Sequence, residues 1–226
     1  MNRSIRYATL ALSLLFLATC ARLPQYARPH MVQTDELQKD SGQGFPYRPL
    51  SRDDFRATSL SEHQAEHAER IYAHAAILIR VTLDSTFRIT SRVLYGQTYF
   101  FGKIERLAFE AVMLPERSWW NPNIKASMQD YVLQHEQIHF ALTELAARQL
   151  TTDTQKWASD VLVMEVTHQE VRQELARQIN ERIKAAMEAN LKRQTEFDED
   201  TSLSFNPKWQ QWWSRTVEEE LKQTRP

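Results

Sequence analysis

Cysteine and glycine are nearly missing from this chain, and neither sign of charge prevails. Its single cysteine, Cys20, leaves no partner for an internal disulfide. Only 4 glycines in 226 residues disfavour a glycine-rich phosphate loop or a turn-dense all-β fold. The 28 basic residues almost cancel the 29 acidic ones, so nothing in the charge points to nucleic acid. The apolar run from Ala8 to Thr19 is too short for a comfortable transmembrane helix. What is present is a 42% hydrophobic, 10% aromatic composition. That is enough to bury a core in one domain of about 180 residues.

The short apolar run has the length of a signal peptide, and Arg3 and Arg6 form its basic head. Leu17-Ala18-Thr19-Cys20 resembles a bacterial lipobox, whose cysteine is lipidated and becomes the mature N-terminus. Thr19 departs from the usual Gly, Ala or Ser, so ordinary secretory cleavage nearby is the alternative. Ala21 follows the cysteine in place of the aspartate that commonly signals inner-membrane retention. The expectation is an exported cell-envelope protein, in the periplasm or tied by Cys20 to the outer membrane. Residues 21–50 carry Pro24, Pro29, Pro46 and Pro49 with Gly42 and Gly44, which reads as a tether to a domain over residues 51–226.

Chemistry concentrates in His135-Glu136-Gln137-Ile138-His139. Residues four apart on a helix lie one turn above each other, so the two imidazoles can face one metal ion. Glu136, about 100° around the helix from His135, is placed as a general base toward a water at that ion. Asn121-Pro122 predicts a helix start, and no Gly or Pro follows before Leu150. Ile124, Met128, Tyr131, Val132, Leu142 and Leu145 give that helix enough apolar content to pack. Buried there, an unpartnered His and Glu would be costly, which argues for a metal.

A third ligand must come from elsewhere. Thr152 to Gln194 predicts a second long helix, with Trp157, Val161, Met164, Val171, Leu175 and Ile179 along one stripe. His168 falls within that stripe and is the geometric choice; Glu165, one turn earlier, is the runner-up. A core histidine hydrogen-bonded to a neighbour is the alternative account of His168. Glu144 lies about 140° from His139 and cannot turn inward on the same straight helix. The inverted order His63-Gln64-Ala65-Glu66-His67, with His74 beyond it, sits among charges and reads as a solvated helix.

The span from Ala76 to Met113 changes to β-type alternation, Ile77, Ile79 and Val81, then Phe87, Ile89 and Val93. Two to four strands in an antiparallel meander are expected, punctuated by Gly96 and Gly102. Trp119 and Trp120 are expected to cover the end of the motif helix. Phe197-Asp198-Glu199-Asp200-Thr201 reads as a polar break, after which Asn206-Pro207 restarts a helix with Trp209, Trp213, Val217 and Leu221 on one face.

Ser118-Trp119, the run Leu133 to Phe140 and Glu144-Leu145-Ala146-Ala147-Arg148 together resemble a family of bacterial exported proteins of unknown function with a zinc-peptidase motif. Leu50 to Phe55 and the tail from Phe197 to Trp209 fit its outer parts more loosely. The resemblance implies a zincin-like fold; with the strands and helices read above, the expectation is α+β, a small antiparallel sheet packed on the motif helix and a second long helix. It also implies hydrolysis of a peptide or protein substrate with Zn2+. Two positions depart from the family: Ala141 replaces its Asp, and Thr201-Ser202-Leu203-Ser204 lacks the histidine of its Thr-x-His-Gly stretch. A non-catalytic envelope module, and an inactive descendant that keeps zinc for structure, are the competing readings.

Overall fold

The computed structural model describes residues 23–24, 44–202 and 205–224. The signal peptide, Cys20 and the tether up to residue 43 lie outside the described residues, apart from Leu23 and Pro24. The described residues fold as α+β, with three antiparallel sheets and three long helices among them. Strands β1 (Phe45–Pro46), β3 (Ile77–Val81) and β6 (Phe109–Met113) form one sheet in the order β1-β6-β3. Strands β2 (Ala73–His74) and β7 (Trp119–Trp120) pair separately. Strands β4 (Thr86–Leu94), β5 (Gln97–Arg106) and β8 (Val163–Glu165) make the third sheet, in that order.

The expected meander would have run β3 to β6 in sequence. Instead β3 pairs with β6, Ile77 opposite Met113 and Val81 opposite Phe109, and the β4–β5 hairpin forms a sheet of its own. Gly102 does not end a strand. It lies inside β5, where a Cβ would collide with Val171 Cγ1, so its missing side chain lets a helix close on the sheet. Gly96 does turn the chain, at φ 81° beside Tyr95 at φ 54°, the paired left-handed conformation of a tight hairpin.

Helix α1 (Ala126–Asp160) is the axis of the molecule. Its middle is buried nearly all round, with Ile138, Phe140, Ala141, Leu142, Leu145 and Ala147 inside. Such a helix must be enclosed by other elements. On one side Phe140 meets Leu50, Phe55, Ala111 and Met113. On another, Ile138, Leu142 and Leu145 pack with Phe197, Trp213 and Val217. The helix begins at Ala126, not at Asn121. The Asn121 side chain turns back to donate to the carbonyls of Ala68 and Ile71 and accept from Asn123 N–H.

The second long helix, α2, spans His168–Thr201, and the predicted range from Thr152 straddles a break. Helix α1 runs on to Asp160, and the β-rich Val163–Glu165 leaves helix to pair with Phe100–Gly102. Thr167 then caps α2, accepting from Glu170 N–H at 3.1 Å while its hydroxyl donates to the Glu170 carboxylate at 2.8 Å. Nor does the acidic stretch at residues 197–201 interrupt the chain, since α2 passes through it and ends there. Helix α3 (Pro207–Gln223) starts where expected, with Asn206 capping Trp209 N–H. Residues 44–50 belong to the packed body: Tyr47 lies against Phe140 and Leu50 N–H donates to Gln137 Oε1 at 2.6 Å. Among the described residues no helix is long and apolar enough to cross a membrane.

Candidate metal centre

Helices α1 and α2 lie antiparallel, and their register pairs Thr143 with Asn190, His139 with Gln194 and His135 with Asp198. Each helix contributes a polar stripe of helical period to an otherwise apolar interface. From α1 come His135, His139 and Thr143; from α2 come Asn190, Gln194, Asp198 and Thr201, all four buried.

His135, His139 and Asp198 meet at one point, and one atom from each lies within 4.8 Å of the others. His139 Nε2 is 3.0 Å from His135 Nε2 and 2.9 Å from Asp198 Oδ1, and His135 Nε2 is also 2.9 Å from Asp198 Oδ1. Donors around a tetrahedral zinc at 2.0–2.1 Å lie about 3.3 Å apart, close to this triangle. Asp198 is 6% exposed, and the two imidazole side chains are 14% and 17% exposed. The group is therefore sheltered, the aspartate more completely than the two histidines.

The outer ring nitrogens are fixed by neighbours. Gln194 Nε2 donates to His139 O and to Thr143 Oγ1, each at 3.1 Å, so the amide is oriented with Oε1 toward the His139 ring. That oxygen accepts from His139 Nδ1, which leaves the Nε2 lone pair facing Asp198 and His135. Thr201 Oγ1 lies 3.5 Å from His135 Nδ1 and donates to Phe197 O. Phe197 stacks on the His135 ring at 4.5 Å and meets the His139 ring edge-on at 4.9 Å. Two lone pairs and a carboxylate converging at 3 Å repel one another unless a cation sits among them. The donor set thus fits a divalent metal ion.

Without metal, the cation is a proton. Burial works against a charged His139 ring, but the Asp198 charge and hydrogen bond, with Glu136 and Gln194, push it up to about 9. Burial likewise opposes ionised Asp198, yet the two histidines hold its carboxyl well below the usual range. The signs follow. A raised His139 contributes stability fully present below about 6.5 that is lost as pH climbs through about 9. A depressed Asp198 contributes stability present above its ordinary carboxylate range and lost on acidification through its lowered value. Chelator-treated protein is expected to lose Tm from pH 6.5 to 9, while metal affinity rises over the same interval as the His139 ring deprotonates. Calorimetry with and without metal checks this. A chelated protein whose Tm holds or rises toward pH 9 would contradict the pair.

Glu136 is buried beside this group, and its Oε2 accepts the Ala75 N–H between β2 and β3 at 2.9 Å. The remaining expected residues fall elsewhere. His168 opens α2, thirty residues and about 45 Å of helix from Asp198. Its ring meets Phe100, and it cannot share an ion with His135. Glu165 lies on β8 opposite Phe100. The antiparallel packing that suggested His168 is present, but the register sets residues 190–201 against the motif. Glu144 faces away, accepting from Ala111 N–H and Arg148 Nε. His67 caps a turn after the helical turn Glu62–Ala65, and the His63 side chain lies outside the described residues. Asp198 escaped the sequence reading, although Asn190, Gln194 and Asp198 at four-residue spacing signal an inward polar stripe. No protein-family model, curated protein or solved structure matches the chain.

Proposed function

We propose that this protein is a zinc-dependent peptidase of zincin-like fold in the bacterial cell envelope, exported by its N-terminal segment and tied to the membrane through Cys20. The observation that carries the reading is the convergence of His135, His139 and Asp198 beside a buried glutamate one residue along the same helix. These three residues would hold the zinc. When bound, it supplies a Lewis acid that polarises an amide carbonyl and acidifies water. The chain supplies the rest. Glu136 Oε2 is held by Ala75 N–H, which orients the carboxylate and leaves Oε1 to accept a proton from water and pass it to the leaving amine. Gln194 and Thr201 keep the imidazoles turned inward.

The protein is expected to purify with about one zinc per chain and to cleave a mixed peptide library. Glu136→Gln should keep the zinc and lose about 10²–10⁴-fold in turnover. A chain that refuses zinc, or a Glu136→Gln protein as active as its parent, removes the hydrolase reading. A non-catalytic envelope module is favoured by one observation: with His139 protonated, the Asp198 pair is satisfied without an ion. Zinc retained with no hydrolysis by either protein would assign the ion a structural role.

A further inference from the structure

The corner where α2 passes into α3 holds a strained aromatic residue against the motif helix. Phe205 has φ 42°, the left-handed region that bulky side chains avoid. Such strain persists only where surrounding structure enforces it, and it gathers at ligand-binding positions. Packing in a core does not account for it, because Phe205 is 49% exposed. The residue before a helix N-cap commonly packs on the fourth helical position, which here is Gln210. Gln210 is instead turned wholly inward, donating to Tyr131 O at 2.8 Å and to Gln134 Oε1 at 2.9 Å. Its own Oε1 is buried without a partner, a second unfavourable feature tolerated at this corner.

What the strain achieves is a placement. The Phe205 ring lies 4.5 Å from the ring of Tyr131, tilted by 49°. Tyr131 is one helical turn before His135 and shares its face, and its hydroxyl donates to Thr201 O. Thr201 Oγ1 in turn lies against His135 Nδ1. A pair of rings, Tyr131 partly buried and Phe205 half-exposed, therefore continues the metal centre along the helix by about 5 Å. Trp209, 46% exposed in the first turn of α3, extends the apolar character of the same corner. Tyr131, Phe205 and Trp209 contribute ring surface and no charge, so the corner complements an uncharged group.

We infer that Tyr131 and Phe205 form a substrate subsite beside the metal, which takes an aromatic or long aliphatic side chain of a peptide. The inference rests on the metallopeptidase reading and adds the substrate class. A planar apolar group entering there would bury its face on two rings already held in place, with little ordering left to do.

The test uses full-length zinc-loaded protein and two zinc-chelating probes, acetohydroxamate and 3-phenylpropionohydroxamate. Their affinities are measured by titration calorimetry on the parent, Phe205→Ala and Phe205→Asn. Asparagine tolerates the left-handed backbone, so Phe205→Asn removes the ring while relieving the strain, and its Tm should not fall. In the parent the phenyl probe should bind at least about tenfold more tightly than acetohydroxamate. In both variants that preference should shrink to about threefold or less, with zinc content and acetohydroxamate affinity unchanged. Equal affinities in the parent, or a preference that survives in both variants, overturns the subsite and leaves the metal centre standing. Failure of zinc or of acetohydroxamate to bind overturns the peptidase reading, and the subsite with it.

Discussion

Replacing Asp198 by alanine should lower zinc affinity by about 10²–10³-fold, whereas His168→Ala should leave it unchanged. The magnitude follows from the binding free energy of a structural zinc, about 10–16 kcal/mol over four ligands, or roughly 2.5–4 kcal/mol for each. At 1.4 kcal/mol per decade that is two to three orders of magnitude. Asp198 matters beyond its share as a donor. It is the anionic member of the group and lies at 2.9 Å from both imidazoles, so it offsets charge that two neutral rings cannot. Without it the His139 ring loses the charge and hydrogen bond that chiefly hold its proton, and burial then favours the neutral ring over a buried cation. The fold should therefore tolerate the change better than the metal does. Gln194→Ala, which frees His139 Nδ1 without removing a donor, should give a smaller loss, about 10–100-fold. Competition with a chromophoric chelator measures all three. An Asp198→Ala protein with parental affinity would displace Asp198 from the site, and loss of zinc in His168→Ala would restore the first choice of ligand.

The contrast between His168 and Asp198 marks where the sequence stops being legible. His135, Glu136 and His139 could be placed because four-residue spacing is a local property, fixed by the pitch of one helix. Which residue of α2 lies opposite them depends on where α2 begins. That is decided by β8 joining the β4–β5 sheet, a pairing between residues more than sixty positions apart. No glycine or proline marks the break at residues 161–167, so one helical stripe seemed to continue through it. Thr167 with Glu170 was the local signal of a new helix. The acids at residues 198–200 misled for a different reason. Carboxylates inside a helix are expected to face water, yet Asp198 faces two imidazoles and Asp200 accepts from Trp213 Nε1 at 2.9 Å. The β-type span was recognised from its alternation, but alternation says nothing of partners. The return of β6 to β3 across a whole hairpin could not be read from it.

Phe197→Ala should destabilise the protein by about 3–5 kcal/mol, a large part of the 5–15 kcal/mol by which domains are usually stable. Phe197 is fully buried at 0% exposure, and its ring borders three others. It stacks on His135, meets His139 edge-on and lies 5.6 Å from Trp213 across the α2–α3 contact. Removing it opens a cavity lined by two imidazoles on α1 and an indole on α3, which cannot close together without breaking the Asp198 and Asp200 contacts beneath them. The loss should appear as a lower urea midpoint with an unchanged m-value. It should also appear as a red-shifted tryptophan emission, because Trp213 loses the ring that shields it. Phe197→Leu, which keeps most of the volume, should cost about 1.5 kcal/mol or less. A leucine has no flat face to hold the His135 ring parallel, so that variant should recover stability more fully than zinc affinity. If stability and affinity return together, Phe197 is filling space. If stability returns and affinity lags, the same side chain that closes the core also sets the angle at which the histidines meet their ion.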